Sequence, residues 1–157
     1  MSLEKVKSYF KQFYMEDRII EVSESSATVE LAAQALHCEP QRIAKTLSFN
    51  LEGRILLIVV AGDAKIDNKK YKEQFGAKAK MLGVSEVETY VGHVVGGVCP
   101  FAVNEGIEVY LDESLNPFRT VFPACGSGNS AIELTIDELE KHSHYLKWID
   151  VCKQWTD

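Results

Sequence analysis

Leu3, Val6, Phe10 and Phe13 recur at three- and four-residue intervals among charged side chains, the period of an amphipathic helix. Residues 18–22 are short and β-branched, the character of a strand. Thr28 is placed to cap a second helix running to Leu36, with Glu30 in the first turn where the helix dipole favours negative charge. Pro40 suits the first turn of a short helical segment leading to Lys45. Two apolar runs, 46–49 and 55–61, flank Asn50-Leu51-Glu52-Gly53 and read as a hairpin. Residues 67–75 read as a helix stopped by Gly76, and Ser85-Glu86-Val87-Glu88 as a capping box opening a helix that Gly92 ends. Gly96-Gly97-Val98-Cys99-Pro100-Phe101 must be a loop, as must Gly126-Ser127-Gly128-Asn129. Strands are expected at 107–111, 120–122 and 131–134, with Asn116-Pro117 turning between the first two. Thr135-Ile136-Asp137-Glu138 is a capping box for a helix to about His142, and the pattern at 148–151 favours no single element. Several strands interrupted by unequal helices predict an α+β domain around a mixed sheet.

The 157 residues make one domain, 1–157, near the usual ~150 residues per domain. Hydrophobic residues at 46% and charged residues at 25% argue against disorder. No run approaches the ~18 apolar residues of a membrane-spanning helix, so no membrane partner is expected. Residues 1–14 mix charge with apolar side chains, unlike a secretory signal. With no export signal and no paired spacing, Cys38, Cys99, Cys125 and Cys152 read as reduced thiols of a cytoplasmic protein.

Charge sharpens this picture. Seventeen Lys and Arg against 23 Asp and Glu give a net charge of −6, a poor balance for a DNA binder. The distribution is uneven, because Lys65, Lys69, Lys70, Lys72, Lys78 and Lys80 are opposed within 65–80 only by Asp67 and Glu73. Between Met81 and Glu140 the one base is Arg119, among ten acids. A solvated helix face is the ordinary reading of such a lysine run.

Chemistry has few places to sit. His37-Cys38 and His142-x-His144 lack the spacing of a tetrahedral metal site, so no metal and no cofactor are expected. Cys99 and His93 are the available thiol–imidazole pair, although small core cysteines are far commoner than nucleophiles. Gly96-Gly97-x-x-Pro100 offers backbone unobstructed by side chains, able to aim amides at a ligand oxygen or simply to turn tightly. The loop at Gly126 lacks the lysine of a nucleotide-binding P-loop and precedes a strand. Lys45 opens an apolar strand, and on a buried face it would need an anionic partner or a ligand.

Four segments occur in order: Ile43-Ala44-Lys45-Thr46-Leu47, Ala61-Gly62-Asp63-Ala64-Lys65-Ile66-Asp67, Val95-Gly96-Gly97-Val98-Cys99-Pro100-Phe101 and Ala131-Ile132-Glu133-Leu134-Thr135. Together they resemble the YbaK/EbsC family of prolyl-tRNA synthetase-associated editing domains. The resemblance implies a partly closed, barrel-like sheet with surrounding helices. It implies hydrolysis of the ester in mischarged tRNA, chiefly proline tRNA carrying alanine or cysteine, with prolyl-tRNA synthetase as a further candidate partner.

On that resemblance Lys45 matches the family's essential lysine, and Gly96 and Pro100 match its Gly-x-x-x-Pro loop. Lys45, Gly96 and Gly97 become the catalytic candidates. Val98, Cys99, Pro100, Gly126, Ser127 and Asn129 become substrate-binding candidates, and Lys65, Lys69, Lys70 and Lys72 tRNA-binding candidates. Amides of Gly96, Gly97 or Val98 are expected to stabilise the carbonyl oxyanion, while Lys45 holds the ribose or terminal phosphate. Electrostatic positioning is preferred to general-base work for Lys45, since the sequence gives no sign of strong burial. No side chain stands out as general base, which leaves water activation to the substrate's own hydroxyl or amino group. The chain departs from the cysteine-clearing branch at Ala124, Ala131 and Ser127-Gly128, where that branch carries serine, aspartate and a basic pair. A non-catalytic module binding an aminoacyl end or a synthetase is the rival reading.

Overall fold

The computed structural model describes residues 2–23 and 28–153. Trp155, expected with Trp148 to pack or join an interface, lies outside the described residues.

Helix α1 (Ser2–Lys11) buries Val6 and Phe10, and Phe13 lies just past its end. After β1 (Ile19–Glu21), α2 (Val29–Leu36) starts where the Thr28 hydroxyl accepts from the Leu31 N–H at 3.1 Å. Pro40–Arg42 makes only a single 3-10 turn, so the chain is already extended at Ile43 and Lys45 lies within a strand. That strand, β2 (Ile43–Leu51), forms a hairpin with β3 (Arg54–Ala61). Its loop is tighter than the four-residue turn expected. Leu51 pairs with Arg54, leaving Glu52 and Gly53 at φ 51° and 91°, as a type I′ turn requires.

Helix α3 (Asn68–Phe75) is held at its start by Asp67, whose carboxylate accepts from the N–H groups of Lys69 and Lys70, and it ends at Gly76. Helix α4 (Val84–Val91) begins earlier than the sequence suggested. Gly83 is its N-cap, the Glu86 carboxylate accepts from the Gly83 N–H at 2.8 Å, and Ser85 lies inside the helix.

Beyond it come β4 (Glu108–Asp112), β5 (Thr120–Pro123), β6 (Ser130–Ile132), β7 (Leu134–Thr135), α5 (Ile136–Ser143) and β8 (Lys147–Ile149). The expected single strand at 131–134 divides, with β6 pairing with β1 and β7 pairing with β5. The unassigned tail supplies β8, an edge strand parallel to β4.

The main sheet runs β7-β5-β2-β3-β4-β8 and curls into a six-stranded half-barrel, the mixed α+β arrangement expected. Its middle is β3. Leu56, Leu57, Ile58, Val59, Val60 and Ala61 are all 0% exposed, covered on both faces, which is why this strand is uniformly apolar and does not alternate. Among the described residues no helix is long and apolar enough to cross a membrane.

One edge of β2 positions the site. β3 covers the other edge along its length, but this one is shared. Ile43 and Ala44 pair with β5, and further along Asn50 N–H donates to Lys80 C=O while Leu82 N–H donates to Ser48 C=O. Between these two partners the edge has no backbone partner among the described residues. By the alternation of the ladder, Thr46 turns its backbone N–H and C=O into the gap.

Candidate functional site

The gap opens into a cavity of ≈ 390 Å³. Its inner wall is aliphatic, from Val29, Leu36, Ile43, Leu47 and Val98, with Phe122 closing one side. Lys45 is the only charged side chain in the lining among the described residues. Its ammonium is half-buried and donates to the Ala64 carbonyl at 2.6 Å. Burial pushes its pKa below the ordinary 10.5, with Cys152 and Asp63 opposing that shift. The burial that the sequence did not reveal is therefore present.

Thr46 joins the site without being marked by any sequence motif. Its hydroxyl is buried without a hydrogen-bond partner among the described residues, in addition to the open backbone edge. An unmade buried hydrogen bond costs about 1–3 kcal/mol, so a ligand group reaching this edge has something to gain. No local signal marks Thr46, because its exposure follows from which strands stop beside it.

The two glycine loops meet at the cavity mouth. Gly96 and Val98 line it, and Gly96 has φ 93°, a conformation natural to glycine. Gly97 corrects the expectation that it supplies an oxyanion amide. Its N–H already donates to Val94 C=O at 3.0 Å and its C=O accepts from Gly126 N–H at 3.0 Å. A Cβ on Gly97 would lie 2.4 Å from the Gly126 carbonyl carbon and the Ser127 nitrogen. Gly97 is thus the contact that joins the loops. The residues of this loop that line the cavity are Val95, Gly96 and Val98, which leaves Gly96 and Val98 as the candidate amide donors.

Other candidates stand at the cavity or behind it. Ser127 lines it, with its hydroxyl bonded to Asn129 Oδ1 at 2.9 Å and Ser130 Oγ at 2.6 Å. Asn129 does not line it, and braces the loop by donating from Nδ2 to the Val22 carbonyl. Gly126 is buried against the start of α1, where a Cβ would lie 2.6 Å from the Ser2 carbonyl oxygen. Cys99 and Pro100 are buried behind the loop and do not line the cavity, which corrects their expected substrate contact.

The thiol–imidazole pair does meet, with Cys99 Sγ 3.5 Å from His93 Nε2. Burial pushes the thiol up to about 12, and the imidazole donates to the Phe101 carbonyl at 2.6 Å. A neutral buried thiol away from the cavity is not a nucleophile. Among the described residues no three His, Cys, Asp or Glu side chains converge as metal ligands.

Of the lysine patch, Lys65, Lys69 and Lys72 are exposed, but none of the four candidates lines the cavity. Lys70 is committed to the fold, donating to Asp150 at 3.0 Å and to the Cys152 carbonyl at 2.9 Å. The acids of the 81–140 stretch avoid the cavity lining. Glu108, Glu133 and Glu138 pair with Arg54, Arg42 and Arg18, and Asp112 is buried holding the Ser114 and Val151 N–H groups.

A family model for the aminoacyl-tRNA editing domain matches residues 23–142, which include Lys45 and both glycine loops. The chain belongs to the aminoacyl-tRNA editing domain family. Bacillus subtilis (strain 168) has an uncharacterized relative, YwhH, 56% identical over 156 residues and covering 99% of each chain. EbsC of Enterococcus faecalis (strain ATCC 700802 / V583), a candidate Cys-tRNA(Pro)/Cys-tRNA(Cys) deacylase, is 30% identical over 115 residues, 71% of this chain and 70% of its own. A crystal structure of a candidate trans-editing enzyme for prolyl tRNA synthetase superposes with TM-score 0.87 at 27% identity, over 98% of both chains. The YbaK/EbsC resemblance and the half-barrel editing fold are thereby both supported.

Proposed function

We propose that this editing domain is a deacylase that hydrolyses the ester of mischarged tRNA in trans, most naturally proline tRNA bearing a small non-cognate amino acid. The observation that carries this reading is one charged side chain, Lys45, in the same cavity lining as the glycine-loop residues Gly96 and Val98, among walls that are otherwise uncharged among the described residues. The aminoacyl side chain enters the aliphatic end. Its α-ammonium is within the reach of the Thr46 carbonyl at the open edge of β2. Gly96 and Val98 amides receive the negative charge that grows on the ester carbonyl oxygen, where one such donor is worth about 3 kcal/mol, or roughly a hundredfold in rate. Lys45 holds the ribose or terminal phosphate.

Water adds to the carbonyl carbon, the bond from that carbon to the ribose oxygen breaks, and the ribose oxygen leaves with a proton. No carboxylate or imidazole lines the cavity among the described residues, and the Lys45 nitrogen is held as a donor to the Ala64 carbonyl, so the proton passes through the substrate's own hydroxyl or amino group. The names of EbsC and of the trans-editing relative support mischarged proline tRNA as substrate and prolyl-tRNA synthetase as partner. Such a role belongs in the cytoplasm. The test is release of amino acid from proline tRNA charged separately with alanine, cysteine, serine and proline. Release of a non-cognate amino acid with proline spared is expected. One observation favours the rival binding module: no carboxylate or imidazole lines the cavity among the described residues. Saturable tRNA binding with no release across the panel would establish that rival.

A further inference from the structure

Three exposed aliphatic side chains stand on the rim of the cavity, each from a different segment. Met81 is the middle residue of the segment paired with the edge of β2, Val84 is the first residue of α4, and Val95 leads into the glycine loop. They are 58%, 74% and 55% exposed. Single exposed apolar residues are ordinary, but three converging on one cavity mouth form a patch of the kind that marks a binding surface. Beside them, Ala77 and Ala79 pack toward the core while Lys78 and Lys80 are exposed, so the alternation sends both lysines to one side. Neither lysine has an ion-pair partner among the described residues. The Lys80 carbonyl is fixed at the β2 edge by the Asn50 N–H at 2.8 Å, so this exposed lysine belongs to the segment that borders the cavity, one residue before Met81.

We propose that Met81, Val84 and Val95 form the platform for the terminal nucleobase of the tRNA, and that Lys80, with Lys78 behind it, receives the adjoining phosphates. This rests on the deacylase reading only for its choice of occupant. An aminoacyl group seated in the cavity is attached to a ribose, so its nucleoside has to emerge at the mouth. The flat face of a base suits an aliphatic platform, and the phosphates next to it suit two unpaired lysines. The contact surface for RNA is thereby moved from Lys69, Lys70 and Lys72 to the segment that borders the cavity.

The test compares two amide-linked probes that cannot be hydrolysed: 3′-deoxy-3′-(L-alanylamino)adenosine and the same alanylamino sugar as a methyl glycoside without the base. Calorimetric titration of the parent is expected to show at least tenfold tighter binding of the adenosine probe. Met81→Asp, Val84→Asp and Val95→Asp are each expected to weaken the adenosine probe at least fivefold and leave the base-free probe within twofold. Leu146→Asp, an equally exposed site elsewhere, is expected to change neither. On alanyl-tRNA the three variants should raise KM with kcat within threefold, and Lys80→Glu should raise KM and flatten its salt dependence. Equal binding of the two probes by the parent, or unchanged affinity in all three variants, overturns the platform. A parent dimer that Met81→Asp dissociates in sedimentation also overturns it, assigning the rim to a second copy of the chain. If the parent releases no amino acid from any charged tRNA, the deacylase reading falls while the titrations still decide the platform.

Discussion

The Lys45 ammonium sits 2.6 Å from the Ala64 carbonyl oxygen, so the one cation of the cavity is held by a neutral acceptor. A carboxylate there would quench its charge, whereas a carbonyl orients the ammonium and leaves its charge for the substrate. Burial keeps its folded-state pKa below the unfolded 10.5. Between those two values the unfolded chain binds more protons, so this group makes stability rise with pH through that window. Lys45→Met is expected to remove that slope and to keep the melting temperature at neutral pH within about 3 °C of the parent, a change under about 1 kcal/mol for a chain of this size. Thermal unfolding from pH 7 to pH 10 measures both.

The two glycines of the mouth are expected to fail differently. Gly97→Ala forces a Cβ against the Gly126 backbone, which neither loop can relieve by rotating a side chain. It should cost about 1–3 kcal/mol of stability, as overpacking does, and lower deacylation by parting the loops. Gly96→Ala meets nothing nearer than Gly128 Cα at 3.9 Å, and its difficulty is the positive φ alone, about 1–2 kcal/mol. Urea unfolding of both variants separates the two causes. Equal losses with unchanged chemistry would contradict the assigned loop contact.

Cys99 is expected to be inert. With its thiol buried and pushed up to about 12, iodoacetamide at pH 8 should leave it unmodified in the folded protein, while the partly exposed Cys38 reacts first. Cys99→Ala should retain deacylation within threefold. Mass spectrometry of the alkylated protein and the variant's rate check the two statements.

The Arg18–Glu138 pair ties the segment before β1 to the start of α5, with contacts of 2.7 and 3.0 Å and a further bond from Arg18 to the Glu133 carbonyl. The guanidinium holds the Glu138 pKa at about 2, below the ordinary 4.5. A carboxylate depressed in the folded state contributes stability above pH 4.5 and loses it as pH falls toward 2. Both side chains are partly solvated, so Arg18→Ala is expected to cost only about 1 kcal/mol at pH 7. The difference from the parent should shrink between pH 4.5 and 2.5 in thermal unfolding.

Local chemistry was legible in the sequence wherever one segment decides it. Thr28, Asp67 and Thr135 cap the helices expected of them, and Gly76 and Gly92 end theirs. Lys45 and Gly96 also come from local motifs, and the fold brings both to one cavity. What the pattern could not show depends on distant partners. Thr46 is open because β5 stops at Ala44 and the 80–82 segment begins at Ser48, a fact of strand order. The Gly97 amide is spent within a turn closed by Val94, and Lys70 is taken by Asp150, 80 residues away. The acidic stretch, troubling as a sum, resolves into arginine partners, a buried cap and solvated positions.

The most direct measurement is the initial rate of alanine and cysteine release from mischarged proline tRNA by the parent and by Lys45→Met at matched fold. The parent is expected to release at least one of them well above the spontaneous rate, and Lys45→Met to fall at least a hundredfold with its melting curve preserved. Release by Lys45→Met at the parental rate would contradict the account, because the cation at the centre of the cavity would then have no part in the chemistry.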